Sequence, residues 1–138
     1  MAKTYRSTLK VRGYELDSFG HVNHAVYVSY MEHARWEMLA AEGITLKKFQ
    51  EWKRFPVIAE LEAKYLRPTY IDDTLEVQSK VIENTKTSFI IQQTIYKGDV
   101  PVLLGKVRVV TVDETGRPAA MPSGIDLLWT QPEEGSGD

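Results

Sequence analysis

The sequence predicts an α+β domain in which one antiparallel sheet of about five strands wraps around a single long helix. Two observations lead to this prediction. Apolar residues recur at three- and four-residue spacing from His24 to Met38, which is typical of an amphipathic helix. Four strand-like stretches follow after Pro56, separated by short turn sequences. One sheet must cover its apolar face, and one long helix is available to do so.

The first half of the chain predicts a strand, a loop and the long helix. Residues 4–14 are rich in strand formers, and the pattern breaks into a loop at 17–23. The helix begins at His24, with Asn23 as its N-cap. The spacing predicts a buried helix face made of Tyr27, Tyr30, Met31, Ala34 and Met38.

The second half predicts one short helix and four strands. Gly43 supplies the left-handed conformation that ends many helices, and a second helix follows over 46–53 with Thr45 as its cap. The strands are predicted at 57–65, 75–82, 87–96 and 102–112. The turn sequences between them suit consecutive antiparallel strands joined by short hairpins. In the first of these strands, alternation places on one face Val57, Ala59, Leu61, Ala63 and Tyr65.

Length and composition set further limits. The 138 residues suit one domain, which we expect over 4–130, with a disordered acidic tail over 131–138. The net charge of -2 argues against nucleic acid as the main partner. The absence of cysteine excludes disulfides, thiolate nucleophiles and cysteine metal sites. With no signal-like segment and no run of roughly 20 apolar residues, we expect a cytoplasmic protein that does not enter a membrane.

The loop before the long helix carries the candidate catalytic residues. A helix N-terminus presents unpaired N–H groups and a partial positive charge, so it can stabilise an oxyanion. Asp17 lies six residues before Asn23, too far to be the cap, and it can act as a nucleophile or as a general base for water. Gly20 leaves room for a substrate, and N–H groups near His24 are candidate oxyanion donors. A solvated loop acid is the alternative that spacing alone leaves open.

Motifs along most of the chain agree with this reading. They are DSFGHV at 17–22, EHAR at 32–35, YLRPTYIDDTLEV at 65–77, KTSFIIQQTIY at 86–96 and VRVVTVDETGRPAAMP at 107–122. Together they resemble the signature of hotdog-fold acyl-CoA thioesterases, specifically the 4-hydroxybenzoyl-CoA thioesterase-like group. The resemblance covers about residues 4 to 128. It implies a five-stranded sheet around one helix and hydrolysis of an acyl-CoA to a free acid and coenzyme A.

The resemblance assigns roles to three loop residues. Asp17 matches the family's catalytic aspartate, Gly20 its loop glycine, and His24 the position whose backbone N–H polarises the thioester carbonyl. Family members bind the acyl group in a tunnel between two subunits whose sheets join edge to edge, so we expect a homodimer and a homotetramer built from it. No metal or redox cofactor is implied, because coenzyme A is part of the substrate. Acyl carrier protein is an alternative carrier of the acyl group.

The substrate-binding candidates fall into two groups. At turn and strand positions that match the family's coenzyme A contacts stand Arg67, Lys86, Thr87 and Ser88. Beside the loop stand His21, Asn23 and Tyr27. Each has a plainer alternative: solvated basic residues near turns, a hydrogen-bonding histidine at the helix entrance, and core aromatics for Tyr27, Tyr30 and Trp36. His21 and His24 have the spacing of metal ligands but no evident third ligand, so no metal site is predicted.

Two other functions remain open at this point. A non-catalytic module that binds acyl-CoA or an acyl carrier is possible on the same fold, because a fold alone does not determine function. A hydratase is disfavoured because the loop lacks the proline-rich histidine segment of that class. Glu60 and Glu62 either present a second acid or form a polar interface. The sequence does not distinguish attack by Asp17 from attack by water, nor does it identify the acyl chain.

Overall fold

The computed structural model describes residues 3–125, so the predicted tail at 131–138 lies outside it. Seven helices and strands occur in this range, and a single 3-10 turn over Gly13–Glu15 precedes the first helix. The elements are β1 (Thr4–Lys10), α1 (His24–Ala41), α2 (Leu46–Trp52), β2 (Phe55–Tyr65), β3 (Thr74–Asn84), β4 (Ser88–Lys97) and β5 (Val100–Val112). None of the described helices is long and apolar enough to cross a membrane.

The strands form one antiparallel sheet in the order β1-β3-β4-β5-β2, and α1 packs on one face of it. This confirms the expected α+β hotdog architecture. The expectation of consecutive hairpins is wrong for one connection. β2 pairs with β5 and not with β3, so the chain crosses from one side of the sheet to the other over residues 66–73. β1 and β2 are therefore the two edge strands.

The long helix begins and ends as predicted. The Asn23 side chain accepts a hydrogen bond from the Ala25 N–H at 2.9 Å, which satisfies one of the unpaired donors at the N-terminus. At the other end Gly43 has a φ of 76°, and its N–H donates to the Ala40 carbonyl. All five residues of the predicted apolar face are buried. The face therefore supplies the helix side of the core.

β1 is shorter than the predicted strand over 4–14. It ends at Lys10, and the chain then leaves the sheet. The Val11 N–H still reaches the Asp73 carbonyl at 2.9 Å, and the Glu15 N–H closes the 3-10 turn onto the Arg12 carbonyl at 3.0 Å. Residues 11–14 are also rich in strand formers, but they form a turn because tertiary contacts outweigh local preference.

A β-bulge in β2 makes the predicted strand face right for Leu61, Ala63 and Tyr65 and wrong for Val57 and Ala59. Ile58 pairs with Val109 and Glu60 pairs with Arg108, so the bulge leaves Ala59 without an opposite residue. An extra residue reverses the side on which the following side chains lie. The helix-facing set is therefore Pro56, Ile58, Leu61, Ala63 and Tyr65. Val57 lies on the outer face, together with Glu60 and Glu62.

A buried amide fixes the helix on the sheet. Gln93 is fully buried on β4, and its Nε2 donates to the Met31 carbonyl of α1 and to Ser79 Oγ, both at 2.9 Å. Its Oε1 accepts from Arg35 at 3.0 Å, so the amide is fully used. Gly105 lies beside it, where an added Cβ would stand 2.6 Å from Met31 Cε. Helix and sheet approach each other closely here.

Candidate active site

The loop before α1 is closed by its own backbone. At its base the Asn23 N–H donates to the Glu15 carbonyl at 2.9 Å, and nearer its tip the Asp17 N–H donates to the His21 carbonyl at 2.7 Å. We call residues 15–23 the Asp17 loop. It is a miniature hairpin whose second arm leads directly into the helix, so its tip and the helix N-terminus are parts of one structure.

The Asp17 carboxylate is oriented by main-chain donors. Its Oδ1 accepts the Phe19 N–H at 2.9 Å and the His21 N–H at 3.1 Å. Its Oδ2 makes no hydrogen bond with any residue in the range 3–125, and the residue is half-buried. One oxygen of the acid is therefore anchored by the main chain, while the other has no hydrogen-bond partner among the described residues.

Gly20 stands in this loop because of its backbone conformation. Its φ is 82°, in the left-handed region that residues with a Cβ rarely adopt, and its N–H closes a turn onto the Asp17 carbonyl at 3.1 Å. A Cβ at this position would meet no atom within 4 Å. The space around Gly20 is open, as the sequence argument for substrate access requires, but the conformation alone is a sufficient reason for glycine.

The helix mouth presents one unpaired donor. Asn23 satisfies the Ala25 N–H, whereas the His24 N–H has no partner within the described part of the chain. The His24 carbonyl accepts a hydrogen bond from the Tyr65 hydroxyl at 2.8 Å, which ties the end of β2 to the mouth. An unpaired N–H at the positive end of a helix is suited to bind a developing oxyanion.

The aromatic residues behind the mouth belong mainly to the core. Tyr27 is 3% exposed, its hydroxyl lies 2.7 Å from Thr69 Oγ1, and its ring makes edge contacts with Tyr30 and Tyr65. Burial raises the pKa of Tyr27. Trp36 differs from them because it is 43% exposed. The core alternative therefore holds for Tyr27 and Tyr30, while Trp36 stays accessible.

A buried glutamate supports the base of the loop. Glu15 is 7% exposed, and its Oε1 accepts the Arg12 N–H and the Tyr30 hydroxyl, both at 2.8 Å. Its Oε2 pairs with the Arg12 guanidinium at 2.9 Å. Burial alone would raise the pKa of Glu15, but these hydrogen bonds and the nearby charge hold that pKa below its usual range. Glu15 therefore stays ionised next to the candidate catalytic acid.

An apolar groove runs between α1 and the edge strand β2. It encloses about 110 Å³. Its lining residues are Glu32, Arg35, Trp36, Met38, Leu39, Pro56, Ile58, Phe89, Ile91 and Val109. A hydrocarbon chain is chemically suited to this lining, because most of it is apolar.

Within one chain, the predicted coenzyme A-binding residues at the turn between β3 and β4 lie far from the Asp17 loop. Lys86, Thr87 and Ser88 lie at the turn between β3 and β4, where a cleft of about 370 Å³ with a mixed polar and apolar lining opens. The Asp17 loop lies near the opposite end of β3. At about 3.3 Å per residue, the length of β3 places roughly 30 Å between the two ends. Arg67 is exposed on the connection after β2 and nearer the loop.

The remaining polar candidates have structural contacts. The His21 ring packs edge-on against Tyr70 at 5.3 Å, and only its backbone bonds to Asp17. Within residues 3–125 no group of three or more histidine, aspartate or glutamate side chains is placed to hold a metal. Glu60 faces outward and pairs with Arg108 at 3.8 Å, which disfavours a second acid beside Asp17, and the polar interface stays a prediction.

Sequence reasoning missed Glu15, Thr69 and the hydroxyl of Tyr65. Glu15 is the one with a detectable signal, because it lies two residues before Asp17 between Tyr14 and Leu16. A carboxylate between large apolar residues, close to a candidate acid, is a position at which a buried hydrogen-bonding role is expected. The contacts of Thr69 and Tyr65 depend on distant segments and have no local pattern.

Comparison with known proteins shows the family to which the chain belongs. A family model described as the thioesterase-like superfamily matches residues 11–127, and the chain belongs to this family. It is 34% identical to the acyl-acyl carrier protein thioesterase ATL3 of Arabidopsis thaliana over 91% of this chain. The chain spans 67% of that protein's length, and 63% of the length of the Arabidopsis relative ATL2.

A bacterial relative and a solved structure match over nearly their whole length. The acyl-CoA thioester hydrolase YbgC of Escherichia coli is 30% identical over 92% of this chain and 96% of its own. The crystal structure of the hypothetical protein AQ1494 from Aquifex aeolicus superposes with a TM-score of 0.85 at 25% identity. That match covers 91% of this chain and 98% of the other.

Proposed function

We propose that the protein hydrolyses acyl-CoA thioesters at the Asp17 loop. One observation carries the proposal. Within residues 3–125, the Asp17 loop presents a carboxylate with one oxygen that lacks a hydrogen-bond partner, and it leads into a helix whose first N–H is unpaired. Asp17 Oδ2 is the reactive oxygen, and the His24 N–H is the oxyanion donor. A thioester carbonyl between them would be attacked from one side and polarised from the other.

Two routes conserve atoms and charge. In the first, Asp17 takes a proton from water, the hydroxide adds to the carbonyl, and the coenzyme A thiolate leaves and is protonated. In the second, Asp17 attacks the carbonyl and expels the thiolate, and water then opens the mixed anhydride. In both routes the negative oxygen forms at the His24 N–H. Because Asp17 Oδ1 stays bound to main-chain donors, the acid keeps its orientation throughout.

The acyl group and its carrier occupy different surfaces. We assign the acyl chain to the apolar groove beside Trp36 and the nucleotide to the cleft beside Lys86 and Ser88. YbgC is an acyl-CoA hydrolase by name and ATL3 acts on acyl carrier protein, so both carriers are proposed substrates. The proposed location is the cytoplasm, where both carriers occur.

A second copy of the chain is proposed to complete the site. The edge strand β2 exposes several apolar residues, among them Val57, Ile58 and Leu61, and an unpaired edge is a ready pairing site. If two β2 strands pair antiparallel about a two-fold axis, the start of one lies against the end of the other. The turn that carries Lys86 would then approach the partner's Asp17 loop. The Lys86 turn of one chain would then serve the Asp17 loop of the other, although the two lie roughly 30 Å apart within one chain. A tetramer would combine two such dimers.

Asp17→Asn tests the proposal. The amide keeps the Oδ1 acceptor and the shape of the loop but cannot act as a base or a carboxylate nucleophile. We expect turnover to fall by about 100-fold or more with an unchanged melting temperature. Thiol release is measured for wild type and variant on acyl-CoAs of rising chain length, aromatic acyl-CoAs and one acyl carrier protein substrate. Near-normal turnover by the variant would refute the role of Asp17.

A further inference from the structure

A buried tyrosine and a buried carboxylate join the Asp17 loop to the body of α1. The Tyr30 hydroxyl donates to Glu15 Oε1 at 2.8 Å, and Tyr30 is 3% exposed. The backbone carbonyl of the same Glu15 accepts the Asn23 N–H at 2.9 Å. One residue therefore contacts the second turn of the helix through its side chain and the helix cap through its main chain.

Both proposed reacting groups are close to this contact along the chain. Asp17 follows Glu15 by two residues, and His24 follows Asn23 directly. Any displacement of Glu15 relative to the helix therefore moves the acid and the oxyanion donor against each other. Reaction rates respond steeply to such displacement, because a shift of about 1 Å can cost roughly 100-fold.

We propose that the Tyr30–Glu15 hydrogen bond is a positioning contact for thioester hydrolysis. It acts through the Asp17 loop and not on the substrate, and it fixes the separation between Asp17 Oδ2 and the His24 N–H. This inference rests on the proposed function. Tyr30 and Glu15 are accordingly positioning residues, and their loss should lower kcat much more than it changes KM.

The opposite end of α1 offers a matched control. There the Tyr5 hydroxyl donates to Glu42, and Lys3 pairs with the same carboxylate at 2.8 Å. Burial and the neighbouring carboxylate raise the pKa of Tyr5, as they do for Tyr30, so the two tyrosines are chemically alike. Tyr5 is likewise at most 9% exposed. This second cluster shares the chemistry of the first but lies at the end of the helix away from the Asp17 loop.

The experiment compares Tyr30→Phe with Tyr5→Phe. Each substitution removes one hydroxyl that donates to a carboxylate, so we expect similar decreases in melting temperature. Thiol release is measured with the acyl-CoA that wild type turns over fastest. For Tyr30→Phe we expect kcat to fall by about 10- to 100-fold with KM within about twofold of wild type. Tyr5→Phe should keep its kcat within about twofold of wild type.

Glu15→Gln is the second variant and keeps the test decisive if Tyr30→Phe folds poorly. The glutamine preserves the acceptor but weakens its hydrogen bonds, so we expect kcat to fall below that of wild type with KM within about twofold. Equal kcat losses in the two tyrosine variants, or a loss confined to KM, would overturn the inference. Wild-type kcat in Tyr30→Phe beside an inactive Asp17→Asn refutes this inference alone. An active Asp17→Asn refutes the proposed function itself.

Discussion

Replacing Gly20 by alanine tests why glycine occupies the Asp17 loop. Its φ of 82° costs an L-residue about 1–2 kcal/mol, and the added Cβ meets no atom within 4 Å, so no overlap adds to that cost. The smaller conformational freedom of unfolded alanine returns about 0.5–1 kcal/mol. The free energy of unfolding should therefore fall by up to about 1.5 kcal/mol. For a domain of this size each kcal/mol lost lowers the melting temperature by roughly 3–5 °C.

Thermal unfolding of Gly20→Ala and Gly20→Asn, followed by circular dichroism, measures this effect. Asparagine tolerates the left-handed region better than alanine, so it should retain more of the wild-type stability. The same two variants report on substrate access, because a side chain that blocks the substrate raises KM in both. A loss above about 3 kcal/mol for alanine, or an asparagine variant less stable than alanine, would refute the conformational reasoning.

Two further predictions concern pH and assembly. The folded-state pKa values of Glu15 and Glu42 lie below 4.5, so both carboxylates stabilise the fold above that pH, and the stability is lost as the pH falls through the folded-state values. Thermal melts from pH 7 to pH 3 should show this decline, and Glu15→Gln should make it shallower; an identical acid slope in the variant would contradict the assignment. Leu61→Glu puts a charge on an edge-strand leucine that is 37% exposed, and light scattering should find half the wild-type mass, together with little activity. Ile82→Glu, at a 40% exposed position on β3, which β4 and β5 separate from β2, should keep the wild-type mass, and an unchanged mass of Leu61→Glu would exclude the β2 interface.

Local patterns were sufficient for most of the fold. The caps Asn23 and Thr45 and the terminator Gly43 set helix boundaries through contacts within a few residues, so sequence reasoning could find them. The bulge at Ala59 could not be found in this way. It depends on how β2 pairs with β5, and a single extra residue has no signature in an alternating pattern.

In the candidate site, too, some features could be predicted from the sequence and others could not. Asp17 could be singled out because it stands near the start of a helix, and the motif around it resembles a known family. The Tyr30–Glu15 contact could not be foreseen, because Glu15 is in the loop and Tyr30 is in α1, and only the fold brings the two side chains together. The distance between the Lys86 turn and Asp17 depends on strand direction across the whole sheet, which no local segment specifies.

Main-chain hydrogen bonds hold the Asp17 carboxylate independently of the side chains around it. The groups that hold the Asp17 oxygen are the N–H groups of Phe19 and His21, and every residue other than proline supplies such a donor. The Phe19 side chain is 85% exposed and takes no part in that anchoring. The side chain at position 19 can therefore change without changing the orientation of the Asp17 carboxylate. A substitution of Phe19 by any residue except proline would change the surface of the Asp17 loop and leave the proposed reactive oxygen of Asp17 in place.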